Sequence, residues 1–197
     1  MPVLYFIRHG ETDFNIEHRL QGRYDTAINA RGRMQAQQCA NVLHDLFERD
    51  ARRTEEFAYV SSPLKRARQT MELVRTTLGL DPRAYDLDER LMEISYGEWE
   101  GRTLAEIEAY DPHVLERREL DKWGFVPPGG ESYRAVAARV AAWYATVTRD
   151  TVITAHGGVA RALMANFHIL PEDEATHADI AHGAVYVFAD GTMAKYA

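Results

Sequence analysis

The sequence predicts an α/β protein, built as a three-layer α/β/α sandwich with a mostly parallel sheet and an antiparallel edge. Short apolar runs alternate with segments whose apolar residues recur every three or four positions, which is the pattern of strands connected by helices. Only the last two apolar runs follow each other directly, and the Asp190-Gly191 between them is a dipeptide typical of tight hairpin turns. We therefore expect the final two strands to pair antiparallel at one side of the sheet.

Each predicted strand is a short apolar run bounded by polar or turn-forming residues. The first run, Val3 to Ile7, has about the length of a buried parallel strand. A polar loop over 10–30 follows it, and a connection of that length favours a functional role. The predicted strands cover residues 3–8, 57–60, 84–87, 151–155, 184–189 and 192–196.

The predicted helices begin at residues that favour helix N-termini. Asn29 can cap a helix over 31–49, Ser62-Pro63 can open one over 64–78, and Ser132 can cap one that extends to 148. Two further helical segments are 104–120, which is one helix or two broken near Asp111-Pro112, and 159–167.

Length, charge and cysteine content limit the possible classes of protein. A chain of 197 residues suits a single domain over 1–197. The net charge of −7 argues against nucleic acid as a partner, because binding to phosphate backbones requires a clustered basic excess. No apolar stretch has the length of a membrane span or a signal peptide. Cys39 is the only cysteine, so we expect no disulfide within the chain and a cytoplasmic localisation.

Two predicted strands end in a histidine followed by glycine. Arg8-His9-Gly10 ends the first strand, and His156-Gly157-Gly158 ends the run 151–155 just before a helix. A third segment, Ser62 to Arg66, opens the helix that follows the second strand. Ligands of open α/β sheets lie at the carboxyl ends of the strands, and helix N-termini favour anions. If these strands are neighbours, two arginines and two histidines surround one pocket suited to a phosphate.

The chain resembles the histidine phosphatase superfamily, also called the phosphoglycerate mutase-like family, over about its whole length. The resemblance begins with Arg8-His9-Gly10-Glu11-Thr12 and continues in family order. The later matching segments are Asn15, Leu20-Gln21-Gly22, Ser61 to Ala67, Glu93 with Gly97 and Trp99-Glu100-Gly101, Gly129 to Ser132, and His156-Gly157-Gly158. After Asp25-Thr26 this chain has Ala27-Ile28-Asn29 where the family commonly has Pro-Leu-Thr, and we expect no catalytic effect.

The resemblance implies a role for five residues and a reaction without metal or cofactor. His9 would be the nucleophile that takes the phosphoryl group, and Glu93 the general acid and then the base. Arg8, Arg66 and His156 would hold the phosphate oxygens. The positions implied for substrate binding are Asn15, Gln21, Gly22, Tyr96 and Gly157. His182 lies where relatives often place Asn or Ser near the pocket.

The resemblance leaves more than one activity open. We expect a phosphatase that acts on a small phosphorylated metabolite, with no nucleic-acid or membrane partner. A cofactor-dependent phosphoglycerate mutase is the alternative, but 101–128 is compact and the chain stops soon after its last strand, which favours an open site and hydrolysis. A phospho-ligand-binding module without turnover is a third possibility, disfavoured because His9 and Glu93 are both present. No spacing of ligands typical of zinc hydrolases occurs. The leaving group and the oligomeric state stay open.

Overall fold

The computed structural model describes residues 1–197, which form six strands and eight α-helices. The strands are β1 (Leu4–Arg8), β2 (Ala58–Ser61), β3 (Asp86–Leu87), β4 (Thr151–Ala155), β5 (Val185–Ala189) and β6 (Thr192–Tyr196). The helices are α1 (Asp13–Ile16), α2 (Ala30–Arg49), α3 (Lys65–Thr77), α4 (Leu104–Tyr110), α5 (Val114–Leu120), α6 (Tyr133–Tyr144), α7 (Gly157–Asn166) and α8 (Glu172–Ala175). None of them combines the length and the apolar character that crossing a bilayer requires.

The six strands form one sheet in the order β3-β2-β4-β1-β5-β6. Strands β1 to β4 run parallel, whereas β5 pairs antiparallel with β1 and β6 antiparallel with β5. Arg8 of β1 is in register with Ala155 of β4, and Thr154 is in register with Ser61 of β2. The segments that follow these three strands therefore leave the sheet side by side.

Helices cover both faces of the sheet. Tyr5 and Ile7 of β1 face a core formed with α2 and α3, whereas Leu4 and Phe6 face the core formed with α6 and α7. Successive side chains of a strand point to opposite faces, so one continuous apolar run serves two cores. The predicted three-layer α/β/α class, with its antiparallel edge, is confirmed.

Some predicted boundaries were wrong. The helix expected to reach 148 ends at Tyr144, because the chain then turns back toward β4. The strand expected over 84–87 shrinks to two residues, since only Val60 and Ser61 pair with it. The loop 10–30 contains the short helix α1, which Thr12 caps, and α8 was not predicted. The segment 104–120 is two helices separated by 111–113.

Candidate active site

The two histidines that end β1 and β4 lie against each other. Their ring centroids are 5.2 Å apart, and the His9 backbone N–H donates to the carbonyl of Ala155 over 2.9 Å. Both side chains are almost completely buried. The parallel pairing of β1 with β4 is therefore what brings together residues that are 147 positions apart in the chain.

The His9 ring is held in one tautomer. Its Nδ1 lies 2.8 Å from the carbonyl oxygen of Gly10, and because a carbonyl only accepts, Nδ1 must carry the proton. Burial, followed by the charges of Arg66 and His156, lowers the pKa of His9 well below its ordinary value. The ring is therefore neutral, and its Nε2 has a free lone pair.

Arg66 is fully buried at the start of α3 and is anchored by the polar loop between β1 and α2. Its Nη1 and Nη2 donate to the carbonyls of Tyr24 and Gly22, each over 2.7 Å. Thr70, one turn further along α3, accepts from the Gly10 N–H over 2.9 Å and so ties the helix to the end of β1. Burial lowers the pKa of Arg66 to about 10, so the guanidinium stays charged at neutral pH.

Five buried side-chain nitrogen atoms have no hydrogen-bond partner, and three of them belong to residues whose charges influence His9: Arg8 Nε, Arg66 Nε and His156 Nδ1. Their residues are otherwise fixed, since Arg8 Nη1 donates to the Ile180 carbonyl over 2.6 Å and His156 Nε2 lies 2.8 Å from Ser62 Oγ. Arg8 and Arg66 bring two positive charges to His9, which suits an anion.

The carboxylate of Glu93 reaches the same place from the loop that follows β3. Its Oε1 accepts from the backbone N–H groups of Ile94, over 2.9 Å, and of Gly158, over 3.0 Å. A Cβ on Gly158 would lie 2.3 Å from that oxygen, so only glycine permits this contact. With Oε1 held by two donors, Oε2 makes no hydrogen bond within the protein.

The residues predicted to bind substrate differ in what they contact. Asn15 Oδ1 accepts from the Thr12 N–H over 3.0 Å, and Gln21 Oε1 lies 3.0 Å from Thr12 Oγ1. Both amide oxygens therefore stabilise the polar loop. The two amide nitrogens make no hydrogen bond within the protein. Gly22 has a φ of 50° and supplies a carbonyl to Arg66, which is a structural contact.

The other two predicted substrate positions lie beside the pocket. Gly157 has no side chain, and a Cβ at this position would lie 3.9 Å from Arg8 Nε. The glycine therefore leaves space beside the Arg8 guanidinium. Tyr96 is half-buried, and burial, with smaller effects from Tyr133 and Glu93, raises the pKa of its hydroxyl well above the ordinary value. Its neutral hydroxyl can therefore donate a hydrogen bond.

Four residues of the site received no definite role from the sequence: Ser62, Thr70, Gly158 and His182. His182 lies against His9, because its Nδ1 is 2.7 Å from the His9 carbonyl and the two rings are 5.4 Å apart. Burial, followed by the charge of Arg8, lowers the pKa of His182 to about 4. The ring is thus a neutral donor to the backbone of His9. The sequence pointed to it only through the resemblance, since relatives often place Asn or Ser near the pocket at this position.

The chain contains no group of three or more His, Cys, Asp or Glu side chains arranged to hold a metal ion. Its unpaired donors are cationic or neutral nitrogens, which suit an anion and not a cation.

Comparisons with known proteins agree with this geometry. Residues 4–191 match the sequence model of the histidine phosphatase superfamily (branch 1). Glucosyl-3-phosphoglycerate phosphatase from Mycobacterium tuberculosis is 36% identical over 182 residues, which cover 85% of this chain and 76% of that protein. A 2,3-bisphosphoglycerate-dependent phosphoglycerate mutase from Cytophaga hutchinsonii is 30% identical over 194 residues, 93% of this chain and 85% of the mutase.

Among solved structures, mycobacterial glucosyl-3-phosphoglycerate phosphatase in complex with VO3 superposes with a TM-score of 0.79 and 32% identity, covering 96% of this chain and 91% of that one. The family match spans nearly the whole chain, and the edge of the sheet brings His9 and His156 together under the influence of Arg66 and Arg8. The chain belongs to the histidine phosphatase superfamily.

Proposed function

We propose that the protein hydrolyses phosphomonoesters through a phosphohistidine formed on His9. The single observation that carries this proposal is the His9 ring, whose Nδ1 is bound to the Gly10 carbonyl while the ring lies 5.2 Å from the ring of His156 and under the influence of the charges of Arg66 and Arg8. A fixed, neutral imidazole close to two arginines is arranged for attack on phosphorus.

Two steps follow from this arrangement. The lone pair of His9 Nε2 forms a P–N bond while the P–O bond to the leaving oxygen breaks, and Glu93 gives that oxygen its proton. Glu93 then takes a proton from water, the water oxygen attacks phosphorus, and the P–N bond breaks. Arg8, Arg66 and His156 hold the phosphoryl oxygens through both steps, where their donors stabilise the spread negative charge.

Hydrolysis is favoured over phosphoglycerate mutation. The first relatives are phosphatases at 36% identity, whereas the mutases are 30% identical or less. We further infer that a single domain over 1–197 acts on a small phosphorylated metabolite, without nucleic acid or membrane as a partner. We also infer that the reaction needs no metal, because nitrogen donors take the place that carboxylates and Mg²⁺ hold in metal-dependent phosphoryl transfer. The cytoplasmic localisation stays a prediction.

Trapping the intermediate tests the proposal. The protein is incubated with a ³²P-labelled phosphomonoester, quenched, and examined for an acid-labile phosphoryl group, with p-nitrophenyl phosphate turnover measured in parallel in EDTA. We expect the label on the wild type and on the His44→Ala control, whose histidine is exposed on α2, and none on His9→Ala. A labelled or fully active His9→Ala protein refutes the nucleophile. Sustained isomerisation of 3-phosphoglycerate with 2,3-bisphosphoglycerate favours a mutase, and loss of activity in EDTA refutes the metal-free reaction.

A further inference from the structure

Ser62 is a buried polar residue to which the reaction described above gives no role. It lies between β2 and α3, and it is completely shielded from solvent. A serine just before a helix is expected to cap that helix, but the N-cap of α3 is Leu64, which forms no capping hydrogen bond through its side chain. The hydroxyl of Ser62 lies instead 2.8 Å from Nε2 of His156. The serine is therefore a partner of the second histidine of the site.

The backbone of Ser62 holds this hydroxyl in place. The Ser62 N–H donates to the carbonyl of Thr154 over 3.0 Å, and the Ser62 carbonyl accepts from the hydroxyl of Ser61 over 2.8 Å. Thr154 belongs to β4, which pairs with β2 and ends just before His156. The contact between serine and histidine therefore follows from the register of two paired strands.

The His156 ring carries a proton on one of its two nitrogens. The ring is completely buried, and burial, followed by the charge of Arg66, lowers the pKa of His156 well below its ordinary value. A neutral imidazole has one donor nitrogen and one acceptor nitrogen, and the partner of one nitrogen decides the state of the other. Nε2 has Ser62 as its partner, whereas Nδ1 has no partner within the protein. The hydroxyl of Ser62 therefore decides what Nδ1 can do.

The hydrogen bonds of the Ser62 hydroxyl indicate which nitrogen is protonated. Its oxygen accepts from the N–H of Leu64 over 3.4 Å, and its proton has no acceptor within the protein other than Nε2 of His156. When the hydroxyl donates to Nε2, the ring proton is on Nδ1, and only this one donor is left unpaired. The opposite tautomer leaves both the buried hydroxyl proton and the lone pair of Nδ1 unpaired, which is less favourable. The proton therefore belongs on Nδ1.

We propose that Ser62 is a positioning residue that fixes His156 as a neutral hydrogen-bond donor to the phosphoryl group. The inference rests on the phosphatase activity proposed above. The rings of His9 and His156, 5.2 Å apart, then have opposite functions although each carries its proton on Nδ1. The Gly10 carbonyl takes the proton of His9 and leaves a lone pair on Nε2 for attack. The Ser62 hydroxyl occupies Nε2 of His156 and leaves the Nδ1 proton for a phosphoryl oxygen, which a lone pair there would repel.

The ¹⁵N chemical shifts of His156 test the tautomer in the free protein. Long-range ¹H–¹⁵N spectra of histidine-labelled protein distinguish a protonated ring nitrogen from an unprotonated one, and His156→Gln assigns the signals. We expect the proton on Nδ1 in the wild type, and on Nε2 or shared between both nitrogens in Ser62→Ala. The matched control is Ser61→Ala, which removes an equally buried hydroxyl that contacts Thr154 and not the histidine, and we expect it to keep the proton on Nδ1. A proton on Nε2 in the wild type, or an unchanged tautomer in Ser62→Ala, overturns the inference.

Phosphate binding by the same variants tests the consequence. The dissociation constant of inorganic phosphate is measured by calorimetry, with the Tm as the control for folding. We expect Ser62→Ala to weaken binding by roughly three- to tenfold, the effect of one neutral hydrogen bond, and Ser62→Thr, which keeps the hydroxyl, to recover most of this loss. Ser61→Ala should lower the Tm but keep the wild-type dissociation constant. Equal weakening in Ser61→Ala and Ser62→Ala assigns the loss to packing and overturns the inference. If Ser62→Thr fails to fold, the two alanine variants decide.

These outcomes separate the role of Ser62 from the proposed function. A wild type that binds phosphate and turns over p-nitrophenyl phosphate, but has its His156 proton on Nε2, overturns the role of Ser62 and leaves the phosphatase intact. A wild type that neither binds phosphate nor turns over p-nitrophenyl phosphate overturns the phosphatase, and the donor role of His156 with it.

Discussion

Adding one methyl group to Gly158 should disable the proposed proton donor without unfolding the protein. A Cβ at this position lies 2.3 Å from Glu93 Oε1 and 3.2 Å from Ile94 Cγ2. The backbone of Gly158 cannot retreat, because α7 is buried along this turn between the sheet and α6. The carboxylate of Glu93 must therefore move by about 1 Å, and it loses its hydrogen bond to the Gly158 N–H.

The size of the effect follows from that displacement. A misplacement of about 1 Å at a reacting group costs roughly 10²-fold in rate, so we expect kcat for an alkyl phosphate to fall by about that factor in Gly158→Ala. Stability should change little, because the atom nearest to the new methyl group is at the end of the flexible Glu93 side chain, which can move aside at low cost. The Tm should therefore stay close to that of the wild type while kcat falls.

A double-mutant cycle shows whether the fall in kcat of Gly158→Ala is caused by displacement of the Glu93 carboxylate. The kcat of wild type, Gly158→Ala, Glu93→Gln and the double variant is measured on one alkyl phosphate, with Tm as the control for folding. If the methyl group acts by displacing the carboxylate, it costs little more once Glu93 is already replaced. Full activity of Gly158→Ala, or losses that simply add in the double variant, would refute this reasoning.

Three further predictions follow from the same contacts. Arg66→Lys keeps the charge but cannot bridge the carbonyls of Gly22 and Tyr24. The free energy of inorganic phosphate binding, measured from its inhibition constant, should therefore weaken by about 1.5–3 kcal/mol. An unchanged inhibition constant contradicts the role of the guanidinium. Glu93→Gln should slow turnover of alkyl phosphates more than that of p-nitrophenyl phosphate, whose leaving group needs no proton; equal slowing argues against an acid role. The pKa of His182 is lowered to about 4 in the folded protein, so folding keeps the ring neutral where the unfolded chain would bind a proton. The free energy of unfolding is therefore fully present above pH 6.5 and falls as pH drops from 6.5 toward 4, by up to about 1.4 kcal/mol per pH unit. In urea unfolding, His182→Asn should lessen the difference between pH 7 and pH 5, and an unchanged difference counts against the neutral ring.

The parts of the site that the sequence could predict are those fixed by strand ends. His9 and His156 each follow an apolar run directly, and parallel neighbours bring such ends together whatever lies between them in the chain. Arg66 was placed by the same logic, since it opens the helix that follows β2. The sequence therefore predicted, without any knowledge of the loops, that these residues meet at one edge of the sheet.

The parts that the sequence could not predict depend on backbone atoms. The anchors of Arg66 are the carbonyls of Gly22 and Tyr24, and every residue has a carbonyl, so no side-chain pattern marks them. The pairing of Gly158 with Glu93 likewise depends on a close approach between two loops. His182 enters because β5 returns antiparallel beside β1, a detail of strand order that periodicity does not encode.

Under the proposed function, Arg66 and Arg8 have two effects that cannot be separated. They would attract the phosphate, and after burial the charge of Arg66 is the largest influence that lowers the pKa of His9. A free enzyme without these charges would protonate His9 more readily, although burial would still lower the pKa of the ring. When a phosphate dianion binds, it compensates the same charges, which favours the positive phosphohistidine that forms next. The arrangement thus keeps the ring neutral until substrate arrives and stabilises it as a cation once the P–N bond has formed.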